Sequence, residues 1–225
     1  MGRHLLLFDI DGTLIHADGA GRVALSRALS SEFDILDPRI VVGFAGRTDR
    51  AIATEALSSH GLEASEERFG RYLAAYLTHL PGTLVERSGR ILPGARELLD
   101  ALTTRDDVTL GILTGNFEGA ANLKLEHFGL AEFFAGGGFG DHHHDRNDVA
   151  RAAQSAFPEH AGADVTVWVI GDTPNDVRCA RAIGARAVAV AAGFATHEEL
   201  AAEEPDHLLA DLCDVSDFLA LLDDG

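Results

Sequence analysis

Leu5-Leu6-Leu7-Phe8-Asp9-Ile10-Asp11-Gly12-Thr13 is the stretch that decides how the chain is read. His4–Asp9 predicts a short strand whose apolar residues do not alternate with polar ones, the mark of a strand covered on both faces. Gly12 turns the chain directly after it, leaving two carboxylates at the strand's carboxyl end. The segments downstream alternate in the same manner. Strands are expected at Val108–Thr114, Val165–Gly171 and Ala187–Ala191, with a strand-like piece around Phe133–Gly138. Helices are expected at Pro93–Thr104, Glu118–His127, Asn147–Phe157, Asn175–Ile183 and His197–Glu203, and a last strand–helix pair closes the chain. This order implies an α/β fold with a doubly wound parallel sheet.

Between Ala17 and Gly89 the pattern is instead helical: Gly21–Phe33, Thr48–His60 and Ser65–Leu80 carry apolar residues at helical spacing. Thr48 and Ser65 stand as N-caps of the second and third. The chain therefore divides into an α/β core, residues 1–16 and 90–225, and an inserted all-helical domain, residues 17–89. Short linkers near His16–Gly19 and Glu86–Arg90 would hinge the insertion, with Gly19 and Gly89 supplying backbone freedom.

Composition excludes several functions. Of 225 residues, 46% are hydrophobic and 24% charged, which fits neither disorder nor a fibrous repeat. Eighteen basic against 36 acidic residues give a net charge of −18, which repels nucleic acid and anionic membranes, so neither is an expected partner. No apolar run reaches signal-peptide or spanning length. Cys179 and Cys213 have neither metal-like spacing nor a disulfide framework. A cytoplasmic protein is expected. Nothing in the pattern specifies an oligomer.

In an open parallel sheet, ligands bind beyond the carboxyl ends of the strands. That edge gathers Asp9 and Asp11 after the first strand, Thr114-Gly115-Asn116 after the second, and Gly171-Asp172-Thr173-Pro174-Asn175-Asp176 after the long third. Hard carboxylate oxygens suit Mg²⁺, and the hydroxyl and loop amides are left for an anion. Any one of these motifs could be only a turn; three in this order, each after a strand, point to a site.

Taken together, Asp9 to Thr13, Thr114, and Gly171 to Asp176 resemble the motifs of the haloacid dehalogenase superfamily of aspartate-nucleophile phosphatases. Gly46-Arg47-Thr48-Asp49 and Leu92-Pro93-Gly94 followed by Leu98-Leu99 resemble its phosphoglycolate phosphatase and β-phosphoglucomutase branch. The helical block stands where that family carries a cap.

The resemblance implies Asp9 as nucleophile and Asp11 as general acid and base. It implies Mg²⁺ on Asp9, the Asp11 carbonyl and Asp172, with Asp176 orienting a metal-bound water. Thr114, Gly115 and Asn116 would hold the phosphoryl group. The implied activity is hydrolysis of a small phosphorylated metabolite through an aspartyl-phosphate. A sugar-phosphate mutase or a non-catalytic regulatory module of the same fold are the alternatives. Dehalogenation fits poorly because Asp11 is present, and phosphonoacetaldehyde hydrolysis needs a cap lysine that the block lacks.

The resemblance implies a lysine after the strand-like piece at Phe133–Gly138, but Gly140–Asp148 contains none. Arg146 is expected to replace it. Lys124, the only lysine, lies eight residues beyond Asn116 on an expected helix, ~12 Å along its axis, and is expected to sit away from the phosphate. Arg47 is the candidate reader of a second anionic group on the substrate; pairing with Asp49 or Glu55 would serve equally well. His142-His143-His144 could suggest zinc, but three adjacent side chains do not converge easily on one ion, and a solvated loop is expected. His16 is expected to belong to the linker.

Overall fold

The computed structural model describes residues 3–160, 162 and 164–223, so residues 1–2, 161, 163 and 224–225 of the expected core lie outside the described residues. Strand β1 (Arg3–Phe8) is followed by a two-residue strand β2 (Ile15–His16) and helices α1 (Ala20–Phe33), α2 (Asp49–Ser59) and α3 (Glu66–Glu86). The chain re-enters the core through β3 (Arg90–Ile91), α4 (Ala95–Leu102), β4 (Val108–Leu113), α5 (Glu118–His127), β5 (Gly137–Gly138) and α6 (Arg146–Ser155). It ends with β6 (Val165–Gly171), α7 (Pro174–Ala182), β7 (Arg186–Val190), α8 (His197–Ala201), β8 (His207–Leu209) and α9 (Val215–Asp223).

Six strands form one parallel sheet in the order β5-β4-β1-β6-β7-β8. The chain runs outward from β1 to β4 and β5, then returns across β1 to β6. The crevice at the carboxyl end of β1 is thus the switch point of the winding, where such sheets bind ligands. Side chains of β1 alternate between the two cores. Leu6 and Phe8 join the one that holds Leu98, Leu99, Leu125 and Phe218; Leu5 and Leu7 join the one formed with Val149, Val177 and Leu200. All four are fully buried, worth ~1.5–3 kcal/mol each.

The insertion differs from expectation in two places. Helix α3 does not stop at Leu80 but runs through Pro81 to Glu86. Proline removes one helical hydrogen bond, but Thr83 and Leu84 continue the buried face of Tyr76 and Leu80 beyond it. The linkers are not loose either. Ile15 and His16 pair antiparallel with Ile91 and Arg90 in a small ribbon, and Glu86 belongs to α3. Gly89 has an ordinary backbone; a Cβ there would meet Phe128 at 2.8 Å and the His16 carbonyl at 3.0 Å, so close packing explains it. Gly19, at φ 75°, is the left-handed N-cap of α1.

Candidate active site

The site is built from strand ends and helix starts. Asp9 follows β1 and is buried, its amide donating to the Ile170 carbonyl at 2.9 Å. Gly12, at φ 89°, turns the chain, and a Cβ there would fall inside the Asp172 carboxylate; a Cβ at Gly193 would do the same. Both backbones close on Asp172, whose oxygens accept from Thr13 Oγ1 at 3.3 Å and the Phe194 amide at 2.6 Å. Asp176, in the first turn of α7, accepts from the amide and hydroxyl of Thr173 at 3.0 and 2.7 Å. Oxygens of Asp9, Asp172 and Asp176 lie within 4.8 Å of one another.

Three buried carboxylates so close repel one another. Burial raises Asp9 to about 6, with Arg146 holding it down and Asp176 pushing it up. Burial, then the charges of Asp176 and Asp9, raise Asp172 to about 8. The cluster calls for positive charge, and its hard-oxygen donors fit Mg²⁺. Among the described residues it is the one group of three acidic, His or Cys side chains able to share an ion. His142 and His144 are exposed and belong to no such group.

Among the described residues, Arg146 is the one cation paired with this cluster. Asp145 caps α6 by accepting from the Asn147 amide at 2.8 Å, which places Arg146 in the first turn, aimed at β1. Its Nη2 lies 2.9 Å from Asp9 Oδ2 and 2.7 Å from Asp176 Oδ1. Burial disfavours the charged guanidinium, but Asp176 and Asp9 outweigh it and raise its pKa. Arg146 pairs with neither Asp145 nor Asp148; Asp148 takes Arg151 instead.

Lys124 is a correction. Rather than lying down the outside of the sheet, it is buried, with Nζ 2.5 Å from Asp11 Oδ2 and 2.6 Å from Asn116 Oδ1. The expectation counted only the rise along α5. A helical side chain leans toward the N-terminus, and a four-carbon stem recovers much of the distance.

The loop after β4 is tightly determined. Asn116 Nδ2 donates to Thr114 Oγ1 and to Asp11 Oδ2, both at 2.8 Å. A Cβ on Gly115 would collide with the Arg47 carbonyl. Helix α5 begins just after, and its first amides are taken: Asp49 accepts from Phe117 at 3.0 Å and Asp141 from Glu118 at 2.7 Å. The Asn116 amide faces Thr114 Oγ1 at 3.3 Å, so it turns inward to its own loop.

Asp49 was missed as a site residue: it comes from the helical insertion yet caps a core helix. It is buried, and burial raises it to about 6 against the pull of Lys124. With the Asp49 amide donating to the Gly115 carbonyl at 2.6 Å and Asn175 Nδ2 to the Gly46 carbonyl at 2.7 Å, the insertion is docked on the core.

A cavity of about 170 Å³ lies between the α1–α3 segment and the carboxyl edge of the sheet. Its walls include Asp9, Asp11, Thr114, Gly115, Asn116 and Arg146 from the core. Asp172 and Asp176 are not part of its lining. Arg47 faces the cavity too, but its guanidinium is held by Glu55 at 2.7 Å and the Gly43 carbonyl at 3.3 Å. Arg22, also in the wall, stands 4.4 Å over the Phe44 ring and meets no carboxylate among the described residues. His16 reaches the wall beside them.

The sequence profile of haloacid dehalogenase-like hydrolases matches residues 6–181. The chain belongs to that family. A related HAD-hydrolase profile matches residues 148–215. Phosphoglycolate phosphatase of Rhodospirillum rubrum is 31% identical, with 97% of this chain and 89% of the relative covered. The enzyme of the same name from Synechococcus elongatus is 30% identical, over 91% of each. Among solved structures, CbbY from Rhodobacter sphaeroides in complex with phosphate shares the fold: TM-score 0.71, 20% identity, 96% of each chain. Family and relatives together make this HAD chain a phosphatase, which sets aside the non-catalytic module. No helix among the described residues is long and apolar enough to cross a membrane.

Proposed function

We propose that this chain is a Mg²⁺-dependent phosphomonoesterase acting on a small phosphorylated acid of the phosphoglycolate kind, by way of an aspartyl-phosphate on Asp9. The observation that carries the reading is the Asp9–Asp172–Asp176 cluster at the switch point, opening on a cavity that already holds Arg146, Thr114 and Asp11.

Asp9 and Asp172, with the Asp11 backbone carbonyl, would hold Mg²⁺, and Asp176 would orient a water on it. Bound there, the ion supplies positive charge against the phosphoryl oxygens. Arg146, already ion-paired with Asp9, positions the nucleophile and faces the same oxygens; Thr114, Gly115 and Asn116 bound the phosphoryl pocket. An Asp9 oxygen bonds to phosphorus as the bond to the alcohol oxygen breaks, and Asp11 gives that oxygen a proton. Water then attacks phosphorus, Asp11 takes its proton, and the Asp9–phosphorus bond breaks to release phosphate. Phosphoryl transfer depends on such positioning more than on a strong base.

A small acidic substrate is supported by the size and lining of the cavity. At about 170 Å³ it is smaller than the ~300–1,000 Å³ usual for small-molecule sites, which favours a metabolite of few atoms over a sugar bisphosphate. Arg22 in the wall suits a carboxylate on the leaving group, whereas the guanidinium of Arg47 is already engaged by Glu55. Residues 17–89 act as a cap, with the Asp49 and Gly46 contacts as the closed state. The free thiols of Cys179 and Cys213 agree with a cytoplasmic setting.

Phosphate release from 2-phosphoglycolate and from p-nitrophenyl phosphate, with Mg²⁺, with EDTA, and in Asp9→Asn, tests the reading. Activity should need the metal and vanish in the variant. Turnover that survives either change would overturn it.

A further inference from the structure

Lys124 is the most tightly engaged group in the cavity that the proposed chemistry leaves idle. It is the chain's only lysine, it is buried, and it contacts none of the three clustered carboxylates. Its donors go to Asp11 Oδ2 at 2.5 Å and Asn116 Oδ1 at 2.6 Å. Asn116 Nδ2 closes the ring by donating to the same Asp11 Oδ2 at 2.8 Å and to Thr114 Oγ1 at 2.8 Å. Asp11 Oδ1 accepts no hydrogen bond among the described residues.

We infer that Lys124 is a positioning residue for Asp11: with Asn116 it occupies Oδ2, so Oδ1 alone can pass a proton to and from the reacting oxygens. A carboxyl oxygen already accepting two hydrogen bonds has little lone-pair density left for a proton, and the fixed side chain presents its other oxygen in one direction. The Asn116 bond to Thr114 ties that direction to the phosphate loop, so acid and phosphoryl pocket move as one unit.

The insertion completes the enclosure. Tyr76 of α3 lines the same end of the cavity. A Cβ on Gly21 of α1 would lie 3.5 Å from Tyr76 Oη and 4.0 Å from Lys124 Nζ. A longer side chain there would enter the ammonium's place, so the bare backbone of α1 leaves room for a lysine arriving from the core.

This inference rests on Asp11 acting as acid and base, and the test separates the two. The value of kcat/KM covers every step through departure of the alcohol, which is where Asp11 donates. Nitrophenolate leaves with little protonation, whereas the alkoxide of 2-phosphoglycolate needs the proton. Lys124→Met keeps the length of the stem and removes the donors. It should lose on the order of 100-fold in kcat/KM for 2-phosphoglycolate and only a few-fold for p-nitrophenyl phosphate.

Equal losses on both substrates would mean a merely structural role and overturn the inference, as would no loss on either. If Lys124→Met does not fold, as judged by circular dichroism, Lys124→Arg supplies the same ratio. It retains the cation but displaces the donors, and it too should lose more on 2-phosphoglycolate; equal values would again overturn the inference. Asp11→Asn is measured alongside. If it fails to discriminate between the substrates, the acid–base role of Asp11 is what falls.

Discussion

Replacing Arg146 by alanine leaves Asp9 and Asp176 facing Asp172 with no cation among them. The guanidinium lies 2.9 and 2.7 Å from their oxygens. At an effective dielectric of ~20, each attraction is worth ~6 kcal/mol before desolvation is counted. Desolvation of the buried groups offsets most of that. The cost of losing one member is that of stranding the others, about 3–5 kcal/mol. For a chain of this size each kcal/mol moves the melting temperature by about 2–4 °C, so a drop of roughly 6–20 °C is expected without metal.

The stranded carboxyls can escape by binding protons. Asp9 at about 6 and Asp172 at about 8 already lie high, so the drop should be smaller at pH 6 than at pH 8. Thermal melts at both values, with and without Mg²⁺, read this directly. Catalytic efficiency with p-nitrophenyl phosphate should fall at least ~100-fold, as when a charge-stabilising donor is removed. A variant as stable as the parent at pH 8 and within tenfold of its activity would refute the reasoning.

Three further outcomes are expected. Mg²⁺ at 100 times its dissociation constant should stabilise the folded chain by ~2.7 kcal/mol, and Asp172→Ala should remove the thermal shift. Arg105 donates twice to Asp107 and holds its carboxyl down to about 2, below the ordinary 3.8. The stability from this pair is present above the unfolded value and lost as pH falls through about 2, so the gap in urea midpoint between the parent and Asp107→Asn should close over that range. Arg22→Ala should raise KM for 2-phosphoglycolate about tenfold, consistent with one lost charge-assisted contact of ~1.5 kcal/mol, and leave KM for p-nitrophenyl phosphate unchanged.

The sheet was legible because its strands are short apolar runs punctuated by turn residues. β6 and α5 occur at their expected bounds, and carboxylates at strand ends need only the parallel order to fall on one edge. What the sequence hid were contacts made by side-chain reach or by the docked insertion. Lys124 was misplaced because residue counting follows the backbone, not a stem that leans back along its helix. Asp49 reads locally as a first-turn acid of α2, and only tertiary docking turns it into a cap on α5. The β2–β3 ribbon, two residues on each side, is too short to leave a period. Helix α3 runs past the expected end at Leu80, through Pro81, because its buried face continues.

The central claim is that phosphate passes through Asp9. During turnover of ³²P-labelled 2-phosphoglycolate with Mg²⁺, rapid acid quenching followed by peptide mapping should find label on the peptide that contains Asp9. The label should be lost on hydroxylamine treatment, as an acyl phosphate is, and absent from Asp9→Asn. Phosphate release with no label on that peptide, or with label on another residue, would contradict the account.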